Sequence, residues 1–194
     1  RRNRRKLGKV LEIARKRGLL EEEEEEFEFN AQSFAERIME ERRFLTHLES
    51  EIVYVYDGGV YRDVGEQVIQ QRAQEMLGEE TTNHRVNEIV EYIRRATYTP
   101  GERFNSPPPK LICLENGVLD IETLELRPHS PDLVFLSKIP VRWDPGSDCP
   151  KIRRFLEQVV PDEGDRKVLM EFVGYCLYRG YPLQKALLLV GDGA

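Results

Sequence analysis

Gly191, Asp192, Gly193 and Ala194 follow a run of Ala-Leu-Leu-Leu-Val at residues 186–190. A compact apolar stretch that breaks into glycine reads as a buried parallel strand feeding a loop. Gly191 stands where a phosphate-binding loop of the form G-x-x-x-x-G-K-[ST] begins. In such a loop backbone N–H groups cradle phosphates, a lysine reaches the outer ones and a Ser or Thr hydroxyl holds magnesium. The same text also suits a hairpin turn, in which Gly-Asp-Gly commonly follows an apolar run. Opening on Arg1 and closing inside this motif, the chain is expected to belong to a longer parent.

A second chemistry is offered by Arg1, Arg2, Arg4, Arg5, Lys6, Lys9, Arg15, Lys16 and Arg17. Glu12 is the one acid among residues 1–18, so that segment carries +8 and the remainder −14 within a net charge of −6. Leu7, Val10, Leu11 and Ala14 fall at i, i+3, i+4 and i+7, the apolar stripe of a helix predicted from Arg4 to Arg17, with Gly18 placed to end it. A basic helix of this kind can lie along phosphates, which makes its cations the nucleic-acid candidates. It can equally be a solvated helix that packs one stripe on an acidic body.

The remaining polar clusters read as structure. Glu21 to Glu26 repel one another and suit an extended linker or a solvated helix, with nothing to fix their carboxylates in a metal cage. Cys113, Cys149 and Cys176 form no C-x-x-C pair and have no histidine at ligand spacing, so neither zinc nor a disulfide framework is signalled; a reducing, cytoplasmic setting is expected. His47, His84 and His129 are isolated and read as surface or cap residues. Asn116-Gly117 is a turn signal, and Asp120 just beyond it reads as structural. Tyr54, Tyr56 and Tyr61 alternate on hairpin strands, where cross-strand pairing competes with base stacking as their use. Arg153 and Arg154 can meet DNA or a neighbouring subunit, or form a solvated face. No apolar stretch approaches the roughly 18 residues of a membrane span.

The elements that would position these residues make an α+β chain. Phe34, Ile38, Phe44 and Leu48 predict a helix over residues 31–48 with Asn30 as N-cap. Ile52 to Tyr56, Asp57-Gly58-Gly59 and Val60 to Arg62 predict a hairpin, followed by helices over residues 64–77 and 86–98. Residues 99–110, with three consecutive prolines, form a stiff loop. Strands at residues 111–114, 118–121 and 124–126 make a small antiparallel meander that residues 134–136 and 139–141 extend. Ile152, Phe155, Leu156 and Val159 mark one further helix, and Val168, Leu169, Phe172, Val173 and Cys176 another, before the terminal strand. Three segments are expected: a basic arm, acidic linker and helix over 1–48, an α+β domain over 49–148, and helices with a first strand over 149–194.

From residue 51 onward the sequence resembles the domain that leads into the superfamily 3 helicase core of phage, plasmid and poxvirus-type primase-helicases. The resemblance rests on Asn116-Gly117-Val118-Leu119-Asp120, Leu126-Arg127-Pro128-His129-Ser130-Pro131, the Trp143-Asp144-Pro145 turn with Cys149-Pro150, Gly174-Tyr175-Cys176-Leu177, and Leu188-Leu189-Val190-Gly191-Asp192-Gly193. It implies that the last strand opens an AAA+ core whose loop continues into Asn-Gly-Lys-Ser/Thr. It further implies a parent that is a replicative, ATP-dependent DNA helicase, using ATP and Mg²⁺ and working as a ring, typically a hexamer, often with a primase upstream. Only Gly191, Asp192, Gly193 and Ala194 carry over as nucleotide-binding residues. The family's catalytic residues and metal ligands have no counterpart here, so the chain itself is expected to hold no cofactor and catalyse nothing. The role expected is a collar or assembly portion that engages DNA; the alternative is a stand-alone nucleic-acid-binding replication module without a motor, or a spacer between primase and ring.

Overall fold

The computed structural model describes residues 28–191. The basic segment, the glutamate run and Asp192, Gly193 and Ala194 lie outside the described residues.

Three helices with helical-period apolar stripes form the first layer. They are α1 (Ala31–Glu41), α2 (Gly65–Leu77) and α3 (Asn83–Ala96), which bury Ala35 and Ile38, then Ile69, Ala73 and Leu77, then Val86, Ile89, Val90 and Ile93. The Thr82 hydroxyl accepts the Arg85 amide at 3.2 Å and so caps the first turn of α3. The helices cover a four-stranded sheet made of β1 (Phe44–His47), β2 (Val53–Asp57), β3 (Val60–Arg62) and β4 (Tyr98–Thr99), in the order β3-β2-β1-β4. β1 and β2 pair antiparallel with Phe44 opposite Val55 and Thr46 opposite Val53, which puts these four buried residues on one face. β4 joins β1 in parallel through the α3 connection.

Two helices end earlier than the sequence predicts. The helix predicted over residues 31–48 stops at Glu41, and Phe44–His47 is a strand with alternating burial. The gap of six residues from Ile38 to Phe44 breaks helical period, and β2 offers a hydrogen-bonding edge that a solitary helix turn lacks. The helix predicted to reach residue 98 ends at Ala96, and Tyr98 and Thr99 form β4.

The second layer is the predicted meander: β5 (Leu111–Leu114), β6 (Gly117–Asp120) and β7 (Glu125–Arg127), antiparallel and in sequence order. β5 and β6 are buried on both faces. Leu111, Cys113 and Val118 pack with Val60 and Phe135 on one side, while Ile112, Leu114 and Leu119 pack against Ile121 and Trp143 on the other. The stretch expected to add strands at residues 134–141 instead runs over the meander as a strap, touching it as a ladder only through an Ile139–Leu114 bridge. Val134 and Phe135, at its start, are buried.

The two sheets meet at the β2–β3 turn. Tyr61 donates its amide to the Phe135 carbonyl and its hydroxyl to the Pro131 carbonyl, both at 2.8 Å. Gly58 and Gly59 sit at φ values of 54° and 99°, conformations that L side chains disfavour, and a Cβ on Gly59 would lie 2.5 Å from the His129 ring. That ring is pinned in turn, because its Nε2 donates to the Leu114 carbonyl at 2.8 Å. His129, read as a surface or cap residue, is thus the wedge of this joint.

Beyond the meander, α4 (Pro150–Val159) and α5 (Glu163–Tyr175) form where apolar period predicted them. Residues 186–190 take no strand conformation. A strand needs a neighbour to satisfy its N–H and C=O groups, and among the described residues none lies alongside.

Candidate functional site

Of the nucleotide-loop candidates Gly191 alone is described. It is exposed, and a Cβ built on it would meet nothing within 4 Å. Asp192, Gly193, Ala194 and the nine cations of the arm lie outside the described residues, so the structure neither gathers nor separates them.

The titratable groups that are described serve the fold. Asp120 is buried beside Lys110, whose ammonium lies 3.2 Å from it, and accepts the Glu122 and Thr123 amides at 3.1 and 3.4 Å. Burial pushes its carboxyl up. The Glu122 amide, the Lys110 ammonium and the Thr123 amide outweigh that and hold it below the usual carboxylate range. Asn116 fastens the Trp143 turn with a pair of bonds, receiving the Trp143 amide at 2.8 Å and donating to its carbonyl at 2.9 Å. Burial pushes the Cys113 thiol up, against Lys138 and Arg179, so it is a packing residue rather than a nucleophile. Tyr56 and Tyr61 pair across β2 and β3 with ring centroids 5.3 Å apart, the structural use of these rings. Arg153 pairs with Asp148. Among the described residues no three His, Cys, Asp or Glu side chains converge as metal ligands. No helix there is long and apolar enough to cross a membrane.

What stands out is a surface. α4 sets Ile152, Phe155 and Val159 along one stripe, each more than half exposed, and α5 leaves Val168, Met170 and Val173 in solvent. Leu188, Leu189 and Val190 follow at 84%, 72% and 87% exposure. Neither helix buries a single residue. Scattered apolar residues on a surface need no explanation, but the α4 stripe with the β-forming run of Leu188, Leu189 and Val190 beside it marks a surface suited to contact.

One residue that sequence reasoning passed over ties this region to the body. Arg179 donates to the Asn105 carbonyl and side-chain oxygen at 2.7 and 2.6 Å and to the Pro107 carbonyl at 3.3 Å, while its own amide donates to Pro109. Its guanidinium also lies 5.0 Å above the Phe135 ring. The signal available was the proline loop: a polyproline backbone makes no internal hydrogen bonds, so its carbonyls are free to receive a distant arginine.

The D5 N terminal like family model matches residues 31–161, from α1 through α4. No curated protein matches the chain.

Proposed function

The chain belongs to the D5 N terminal like family, the domain that precedes the superfamily 3 helicase in phage- and poxvirus-type primase-helicase proteins of DNA replication, and we propose that it is the collar and assembly portion of an ATP-dependent DNA helicase. In this reading residues 31–148 form the support, and α4, α5 and residues 186–194 lead into an AAA+ motor. The motor binds ATP and Mg²⁺ and assembles with its copies into a ring, a hexamer in the commonest case, that encloses DNA.

The observation that carries the reading is the solvent-exposed apolar stripe of Ile152, Phe155 and Val159 with Leu188, Leu189 and Val190 just before Gly191. A β-forming run of this kind gains its hydrogen bonds and burial when neighbouring parallel strands flank it, as in a doubly covered α/β core. Gly191 then begins the turn that carries phosphate-binding N–H groups into a helix N-terminus.

The test is a longer polypeptide that carries the rest of the loop and core. It should bind Mg²⁺-ATP and hydrolyse it, changing its loop lysine to alanine should abolish turnover, and Ile152→Asp with Phe155→Asp should impair it. Residues 1–194 alone should release no phosphate above background, because the lysine and magnesium-holding hydroxyl that offset phosphate charge come later in the loop. A longer chain that neither binds nor cleaves ATP would overturn the motor reading and leave the family assignment intact.

A further inference from the structure

Between the meander and the end of α5 lies a cavity of about 750 Å³ whose chemistry the collar role does not use. Its wall includes Lys138, Arg179 and Lys185 together with Tyr175, Tyr178 and Tyr181, and no Asp or Glu. Acids outnumber lysines and arginines in the chain, 35 against 29, yet none lines this wall. These three make no ion pair among the described residues, although thirteen are formed elsewhere. Lys138 gives one bond to the Gly58 carbonyl at 3.0 Å, and Arg179 is held by the Asn105 and Pro107 oxygens and the face of the Phe135 ring. Neutral acceptors fix these side chains in place and leave their charge uncompensated, so the cavity attracts anions.

The rings decide what kind of anion. Tyr175 is half-buried and receives the Leu183 amide on its hydroxyl, but Tyr181 stands 86% exposed on the rim, an aromatic surface that folding leaves unused. Tyr178 lies half-buried beside Gly180 between them in sequence. Cations interleaved with available rings are the composition of a single-strand platform, in which phosphates follow the charge and bases stack on aromatic faces. A pocket of this size accepts a splayed base and its phosphates, whereas duplex DNA keeps its bases stacked inside.

We propose that this cavity is a binding site for single-stranded nucleic acid, with Lys138, Arg179 and Lys185 facing phosphates and Tyr178 and Tyr181 stacking bases. The proposal rests on the reading of the parent as a DNA helicase only in its expectation that single strands are present. The site would hand a strand to whatever stands beyond residue 191, because its rim is formed by the segment that runs there.

Fluorescence anisotropy of the full chain with a labelled oligothymidylate of about 12 nucleotides tests it. Lys138→Gln keeps a donor for the Gly58 carbonyl, and Tyr181→Ser and Lys185→Gln alter exposed side chains, so the triple variant should keep the wild-type circular dichroism. Tyr181→Ser should weaken binding about fivefold or more. The paired lysine substitutions should lower the log-log salt slope by about 0.7 per lost phosphate contact. Replacing Arg1, Arg2, Arg4 and Arg5 by Gln should leave the effect of Tyr181→Ser unchanged, which separates the cavity from the arm. Unaltered affinity and slope in the triple variant would overturn the proposal. So would an equal loss on a duplex of the same length, or displacement of the oligomer by free thymidine monophosphate at matched nucleotide concentration. None of these readouts involves ATP, so a failure here and a failure of the motor reading are distinguishable.

Discussion

Gly59→Ala puts a number on the joint between the two sheets. Gly59 has φ +99°, and a Cβ there would sit 2.5 Å from His129 Cδ2 and 2.8 Å from Cγ and Nε2. An L-residue in that backbone region costs about 1–3 kcal/mol, offset by about 0.4–1 kcal/mol because alanine restricts the unfolded chain. The contact then forces a choice. If the ring holds its place, overpacking costs about 1–3 kcal/mol. If it swings away it gives up the 2.8 Å bond to Leu114, a loss of about 0.5–1.5 kcal/mol. The sum is about 1–5 kcal/mol, set against the ~5–15 kcal/mol of an ordinary domain. Urea unfolding at about 1–3 kcal/mol per molar should move its midpoint down by about 0.5 M or more. Repeating the change in a His129→Ala background removes the steric part and should leave only the backbone cost, a coupling of about 1–3 kcal/mol. A loss below about 0.5 kcal/mol for Gly59→Ala would refute the argument, as would the same loss with and without the His129 ring.

Three further outcomes can be checked. Asp120 titrates below its ordinary value in the folded chain, so its contribution to stability is present above about pH 3.9 and is lost as pH falls through the folded value; Asp120→Asn should lower stability at neutral pH and flatten the acid limb of unfolding free energy against pH, and an unchanged limb would contradict the pairing with Lys110. Thiol labelling under native conditions should modify exposed Cys149 and Cys176 and spare buried Cys113 until the chain unfolds, as counted by mass spectrometry. Duplex DNA binding by the basic segment should be weak, indifferent to sequence and steeply salt-dependent, with a log-log slope near −0.9 per phosphate contact; equal affinity after neutralising Arg1, Arg2, Arg4, Arg5 and Lys6 would remove the arm from any DNA-binding role.

What was legible in the sequence is what local chemistry decides. The Glu115-Asn116-Gly117 turn between two short apolar runs predicted β5 and β6, because a two-residue turn fixes its own register whatever lies around it. α2 and α3 were legible for a like reason, since each carries its own stripe and Thr82 its own cap. β1 was not legible: Phe44-Leu45-Thr46-His47 is too short to show a period, and its identity comes from β2, whose edge it completes after a turn at Glu51 with φ 57°. The same principle accounts for residues 186–190 in the opposite sense, because a strand predicted from apolar content does not form where no second edge is supplied.

The functional surfaces follow this division between local and non-local causes. The phosphate-loop opening was visible as a motif, since its chemistry is written in consecutive residues. The cavity with Lys138, Arg179 and Lys185 was invisible, because it draws on Asn105, β5, the strap and the end of α5, which are distant in sequence and brought together by Arg179 reaching the proline loop. The same arginine therefore serves two ends: it ties the segment after α5 to the proline loop and the Phe135 ring, and its charge, which meets no carboxylate among the described residues, helps make the cavity attractive to anions. Coupling of this kind ties position to binding. A strand lying on Arg179 would bear directly on the contact that joins the domain to the segment leading toward Gly191, so strand engagement and the placing of that segment share one side chain.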